Sequence, residues 1–406
     1  MKDAKVAWVI PSFIEGSGGY RTVFQHVNEM AKKYECHVYV YDSGDYRDAN
    51  MLEKAAQKYY GKCECEFFLG YEISKDVKYK FIIATSWMTA ETVYLYSGNA
   101  KKLYFVQDYE PLFYAAGDMY LNAAGTYDFG FYHITIGKWL AAELQRKHNA
   151  NVSHFDFGVE KKIYYSKEAL REKAVCFIYQ PEKPRRAPLL GLETLRIVKK
   201  IRPDVTIYLY GAKETANVEF ECVQLGLISP ENCADLYRKC KVGLCISASN
   251  PSRIPFEMMA CGLPVVDIYA ENNLYDYSSD VITLASSRAE TLAQAIIKIL
   301  DDKKYWNKIS QSGIEFVKNR TIESGMKQFD AIIQKLEEEK NPSENLRIEK
   351  TYNKKPEETQ QEIKDFVRKQ KESKTPNILE KIKHLYWVRK LPGIKVLAAK
   401  IKNNKY

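Results

Sequence analysis

The chain has 406 residues, 46% of them hydrophobic, which is enough for two cored domains. Its formal charge of +9 is unevenly placed: residues 378–406 carry eight basic groups against Glu380 alone, a net +7. The remainder is nearly neutral, which excludes a general nucleic-acid-binding face.

The first residues run from Met1 to Lys5 straight into an apolar strand, a pattern that predicts no signal peptide. No apolar run approaches the roughly 20 residues a bilayer span needs. Nine cysteines form no Cys-x-x-Cys pair, and Cys176, Cys245 and Cys261 lie in apolar runs, which reads as buried thiols in a reducing cytoplasm.

From residue 6 to about 320, short β-branched or aromatic runs alternate with longer helical patterns. The first strands are expected at Val6–Ile10, His37–Tyr41, Phe81–Thr85, Leu103–Val106 and Ile134–Ile136. A second set is expected at Val175–Tyr179, Val205–Tyr210, Val242–Ile246, Pro264–Ile268 and Val281–Leu284. Such alternation predicts an α/β chain with two doubly wound, Rossmann-like parallel sheets facing a cleft. The expected domains are 1–165, with a return helix at about 321–340, and 166–320. Residues 341–377, rich in Glu, Lys, Gln and Asn, read as a linker. The basic tail 378–406 places Ile378, Leu379, Ile382, Leu385, Tyr386 and Trp387 at helical spacing between lysines. Apolar area with cations suits an anionic membrane surface, and the alternative is a helix docked on the body.

Four segments could carry chemistry. After the first strand, Gly16-Ser17-Gly18-Gly19-Tyr20-Arg21 makes a glycine loop ahead of a helix, a geometry in which backbone amides approach a phosphate or sugar. A tight strand–helix turn explains the same glycines. Gln107-Asp108-Tyr109-Glu110 sits at a strand's C-terminal end, where a doubly wound sheet places ligands, or else forms a capped turn. Lys183, Arg185 and Arg186 join a strand to a helix and would suit a diphosphate; a solvated basic loop is the alternative. Ser252 through Val266 reads as a short helix started by Pro255, ended by Gly262 and followed by a buried strand. Its first turn holds Glu257 beside Arg253, as a ligand contact or as a complement to the helix dipole. No Asp-x-Asp, histidine ligand spacing or Gly-x-Ser-x-Gly elbow occurs, so neither a metal nor a serine nucleophile is expected.

Together with Phe155–Val159 and Glu271-Asn272-Asn273, these blocks resemble the GT-B glycosyltransferases of family 4 type, and most of all the bacterial rhamnosyltransferases of the WsaF type. The resemblance covers most of residues 5–330. It implies a GT-B architecture and a retaining, metal-independent transfer from a nucleotide-sugar, which is a substrate and not a cofactor. Residues 166–320 would hold the donor and residues 1–165 the acceptor, a glycan or lipid-linked glycan. By the same resemblance, Asp108, Tyr109 and Glu257 would be catalytic. Lys183, Arg185, Arg186, Ser249, Arg253, Glu257, Glu271, Asn272 and Asn273 would bind the donor and its phosphates. Gly18, Gly19, Arg21 and Gln107 would form the acceptor and phosphate loop.

Two departures stand out. Gln107, Asp108 and Tyr109 occupy a region where family members often have a histidine. Ser249 stands eight positions before Glu257, where the family commonly has a second glutamate. The expectation is a cytoplasmic rhamnosyltransferase, peripheral at the inner face of the membrane, using dTDP-L-rhamnose to extend a lipid-linked surface polysaccharide of the cell envelope. The rivals are a non-catalytic scaffold of a polysaccharide assembly complex and a sugar-nucleotide epimerase.

Overall fold

The computed structural model describes residues 4–168, 170–339 and 347–356. The tail expected at 378–406 and most of the linker lie outside the described residues. The first half contains β1 (Lys5–Ile10), α1 (Gly18–Met30), β2 (Glu35–Val40), α2 (Ala49–Tyr60), β3 (Glu66–Leu69), β4 (Tyr79–Ala84), α3 (Trp87–Leu95), β5 (Lys101–Val106), α4 (Asp118–Gly125), β6 (Tyr132–Ile136), α5 (Lys138–His148) and β7 (Val152–Phe155). The second contains β8 (Ala174–Ile178), α6 (Pro188–Ile201), β9 (Thr206–Tyr210), β10 (Val223–Gln224), α7 (Pro230–Lys239), β11 (Val242–Leu244), α8 (Ile254–Ala260), β12 (Val265–Ile268), β13 (Thr283–Ala285), α9 (Ala289–Asp301) and α10 (Lys303–Phe316). A last helix, α11 (Ile322–Glu337), follows.

Both sheets are parallel throughout, in the orders β3-β2-β1-β4-β5-β6-β7 and β10-β9-β8-β11-β12-β13. In each, the order in which successive strands are added reverses within the sheet, beside β1 in one and β8 in the other. The loops leaving the strand ends there diverge and open a crevice. Strands of a sheet covered on both faces are continuously apolar, as Val6–Ile10 and Ala174–Ile178 are, with every residue buried.

Three strands lack that signature in sequence. β3 lies at a sheet edge with Glu66 and Leu69 exposed, β7 interrupts its apolar run with Ser153 and His154, and β10 has only two residues.

Helix α11 returns to the first sheet. Phe329 stacks on Trp8 at 6.3 Å between ring centroids and meets Phe105 and Phe155 edge-on at 5.8 and 6.1 Å. The return depends on a close backbone approach. Val159 N–H donates to the Arg320 carbonyl, and a Cβ on Gly158 would lie 2.5 Å from the Thr321 carbonyl oxygen. Residues 347–356, expected within the linker, instead strap across the second half. Tyr352 is buried, and Thr351 donates through its hydroxyl to the carbonyls of Tyr275 and Tyr277.

Phe329 is 1% exposed and packs the last helix on the first sheet through its aromatic contacts. Phe329→Ala is expected to cost about 3–5 kcal/mol, read as a lowered denaturant midpoint.

Candidate active site

The two halves meet over a carboxylate. Asp108 follows β5, is 9% exposed, and collects donors from both sides. Its Oδ1 accepts the backbone N–H groups of Tyr109 and, from the second half, Asn250, both at 2.9 Å. Its Oδ2 accepts the Ser249 hydroxyl at 3.0 Å and lies 3.4 Å from Arg185 Nε. The Asn250 side-chain amide donates to the carbonyls of Gln107 and Ile136, which closes the contact. A buried carboxylate needs this set of donors, because an unpaired one would cost several kcal/mol.

Around this point the second half contributes its cations. Arg185 and Arg186 lie on a 3₁₀ turn, Pro184–Arg186, which ends at Ala187 in the left-handed region (φ 45°). The Arg185 guanidinium sits 4.1 Å above the Phe113 ring of the first half. Arg186 donates to the Ser247 hydroxyl at 2.7 Å. Burial, ahead of its neighbours, pulls the Lys183 ammonium below its ordinary range, although Lys183 stands only 3.7 Å from Glu182.

Glu257 occupies the first turn of α8, as the proline start and Gly262 (φ 72°) of that segment dictate. Burial raises its carboxyl from 4.5 to about 7, opposed by the nearby Arg253 and Arg21 and by a hydrogen bond from Tyr164. Arg21 belongs to α1 of the first half, and Arg253 reaches the Gln25 side chain of that helix at 3.3 Å. The glycine loop therefore faces α8. Gly19 abuts the Gln107 side chain, since a Cβ there would lie 3.5 Å from the Gln107 amide oxygen. Gly18 faces open space.

Other expected site residues are placed differently. Tyr109 is 1% exposed, stacks on Tyr127, and bonds through its hydroxyl to His148 Nε2 at 3.1 Å. Its side chain belongs to the core of the first half, while its backbone N–H serves Asp108. Asn272 gives its amide to the carbonyls of Ser247 and Ser249, and Asn273 gives its own to Ile268. These are braces of the crevice loop. Glu271 lies outside the group, paired with Lys350 at 2.9 Å and accepting the Tyr275 hydroxyl at 3.0 Å. Glu110 caps α3 by accepting the Trp87 N–H and the Ser86 hydroxyl.

Sequence reading missed Ser247, Asn250, Asp267 and Asp276. Asp276 accepts the Lys138 and Trp139 N–H groups at 2.8 and 3.2 Å, so it caps α5 from across the crevice. Asp267, fully buried on β12, accepts from Ser247 and Ile268 through Oδ1 and leaves Oδ2 without a hydrogen-bond partner. Only its position inside a strand of otherwise apolar residues could have signalled it.

Comparisons with known proteins bear on the fold and on part of the second half. Residues 173–297 match the family model described as WsaF, C-terminal domain. The O-antigen biosynthesis protein RfbC of Myxococcus xanthus is 30% identical over 270 residues, which are 64% of this chain and 21% of that protein. The chain thus spans about a fifth of the length of that relative. Among solved structures, sucrose-phosphate synthase from Thermosynechococcus elongatus superposes with a TM-score of 0.63 at 14% identity, covering 83% of this chain and all of that one. HepE of Anabaena, solved with UDP and glucose, gives 0.63 at 13% identity over 82% and 99% of the two chains. TarM of S. aureus, solved with UDP and glycan ligands, gives 0.64 at 10% identity over 81% and 99%. At these identities the likeness shows the fold, which is the GT-B arrangement of two parallel-sheet α/β domains.

Burial raises the Asp267 carboxyl from 3.8 to about 8. Between those values the native state keeps a proton that the unfolded chain has released, so stability falls as pH rises. Asp267→Asn keeps the Oδ1 acceptor and removes the charge. It is expected to melt several degrees above the parent at pH 8 and close to it at pH 4, by calorimetry. A weaker slope remains in the variant, because burial also raises Glu110 and Glu257, each to about 7, and Asp276, to about 6.

Proposed function

We propose, from the premise that the chain is a glycosyltransferase of GT-B architecture with a WsaF-type C-terminal segment, that it transfers a sugar from a nucleoside diphosphate donor bound in the crevice to a glycan of surface polysaccharide assembly. The observation that carries this reading is that Arg185 and Arg186 follow β8 while Glu257 opens the helix after the adjacent strand β11, with Arg21 of the first half among the charges acting on Glu257. Arginine forks match phosphate oxygens and stabilise the charge that develops as a diphosphate leaves. The arginines lie at the β8–α6 connection, beside the reversal of strand order where such sheets hold nucleotides.

In this reading Glu257 orients the donor by hydrogen bonds to its hydroxyls. A carboxyl held near 7 between Arg253, Arg21 and Tyr164 both accepts and donates such bonds around neutral pH. Asp108 and Arg185 lie at the junction with the acceptor half. The reaction proceeds with retention, without a metal, and the donor is dTDP-L-rhamnose. The names of the relatives support a polysaccharide acceptor. The basic amphipathic pattern of 378–406 supports a lipid-linked one at an anionic membrane surface.

The deciding experiment incubates the purified chain with dTDP-L-rhamnose, UDP-glucose and other sugar nucleotides and a lipid-linked acceptor. Nucleoside diphosphate release coupled to glycan extension is expected with dTDP-L-rhamnose. Arg186→Ala is expected to weaken dTDP binding about tenfold or more, the effect of losing one charge-assisted contact. Glu257→Ala is expected to lower turnover without unfolding the protein. No release with any donor, together with unchanged dTDP affinity in Arg186→Ala, would sink the reading. Product formed without acceptor would favour an epimerase, and absence of nucleotide binding a scaffold. A separate expectation is that removing 378–406 abolishes sedimentation with phosphatidylglycerol vesicles and leaves dTDP affinity intact.

A further inference from the structure

Arg185 is a cation in an unfinished setting. Its guanidinium lies over Phe113, and its Nε stands 3.4 Å from Asp108 Oδ2, an ion-pair separation without hydrogen-bond geometry. Of the other carboxylates of the neighbourhood, Glu110 is already engaged by Trp87 N–H and the Ser86 hydroxyl, and Glu182 is paired with Lys183 at 3.7 Å. The adjoining Arg186 is directed to Ser247. Asp108 therefore supplies the anion that faces Arg185. Unlike Arg185, Asp108 is fully held without that pair, by two backbone amides and the Ser249 hydroxyl.

The asymmetry has a physical consequence. An incoming anion loses nothing essential of Asp108's anchorage by taking Arg185 from it. It must nevertheless settle a few ångströms from a carboxylate that stays in place, and that repulsion is strong in a partly desolvated crevice. Resting on the diphosphate reading above, we propose that Asp108 stands in for the donor's diphosphate at Arg185 in the free protein. Donor binding transfers Arg185 from carboxylate to phosphate, while Ser249 and Asn250 retain the carboxylate and with it the register of the two halves. Asp108 is then a positioning residue that weakens product binding. A bound nucleoside diphosphate is always opposed by a fixed negative charge that re-forms its ion pair when the product leaves.

The test is titration calorimetry of the full chain with inorganic pyrophosphate, dTDP and thymidine. Asp108→Asn keeps an Oδ1 acceptor for the amides of Tyr109 and Asn250 and offers its NH2 to the Ser249 hydroxyl oxygen, which turns from donor to acceptor, so the negative charge is lost at nearly unchanged shape. Pyrophosphate and dTDP are expected to bind about tenfold tighter to Asp108→Asn, the scale of one removed like-charge neighbour, with thymidine unchanged. Ser249→Ala, which leaves the charge, is expected to give no tightening. Unchanged or weaker pyrophosphate binding by folded Asp108→Asn overturns the proposal, and so does equal tightening by Ser249→Ala. Should Asp108→Asn not fold, the wild-type crystal structure with pyrophosphate decides. Arg185 on a phosphate oxygen and more than 4 Å from Asp108 supports the exchange, and Arg185 still on Asp108 overturns it. The two readings fail separately. Tighter pyrophosphate binding in a protein that ignores dTDP supports the exchange and removes the nucleotide donor; normal dTDP binding that Asp108→Asn leaves unchanged does the reverse.

Discussion

A single buried carboxylate sets the relation between the two sheets. Asp108 lies at the end of a central strand of the first half, and burial obliges it to find hydrogen-bond donors. Two of them, the Ser249 hydroxyl and the Asn250 amide, come from the loop after β11 of the second half. That loop is in turn braced by Asn272, and Arg186 is directed to Ser247 within it. The cations of the second half are therefore held in register with the first by the same contact that satisfies Asp108.

This arrangement accounts for the residue at 249. A glutamate there would bring a second carboxylate against Asp108 in a site with almost no solvent, and like charges so placed repel strongly. A serine is short, neutral and able to donate. The Ser249 hydroxyl donates to a carboxylate on the opposite half. The serine is fitted to a partner across the crevice.

Other contacts repeat the logic along the same seam. Asp276 caps α5 across the crevice, Arg253 reaches Gln25 of α1, and the bridge between Val159 and Thr321 returns the chain to the first sheet. Most of these side chains are polar and buried, so the seam is specific in geometry, while the stability of each half resides in its own apolar sheet and helices. Glu257 differs. It sits between Arg253 and Arg21 with a carboxyl close to neutrality, and a group so poised suits contact with ligand hydroxyls more than a fixed structural pair.

Much of the architecture was legible in the chain. Continuous apolar runs such as Val6–Ile10 and Val265–Ile268, separated by helical periodicity, dictate buried parallel strands, because only those lack a wet face. Pro255 and Gly262 bound the short helix that carries Glu257, and glycines after β1 dictate a tight turn into α1. Sequence also named Asp108, Arg185, Arg186 and Glu257, since charges at strand ends of such sheets belong to the crevice. It could not say which way Tyr109 turns, that Asn272 and Asn273 serve carbonyls of their own loop, or that Ser249 and Asn250 find Asp108. Those outcomes depend on pairs more than 140 positions apart, or on which of two faces a loop presents. Local propensity fixes strands, turns and the charges near their ends; only the packing of one sheet against the other decides which of those charges are neutralised and which are left facing the crevice.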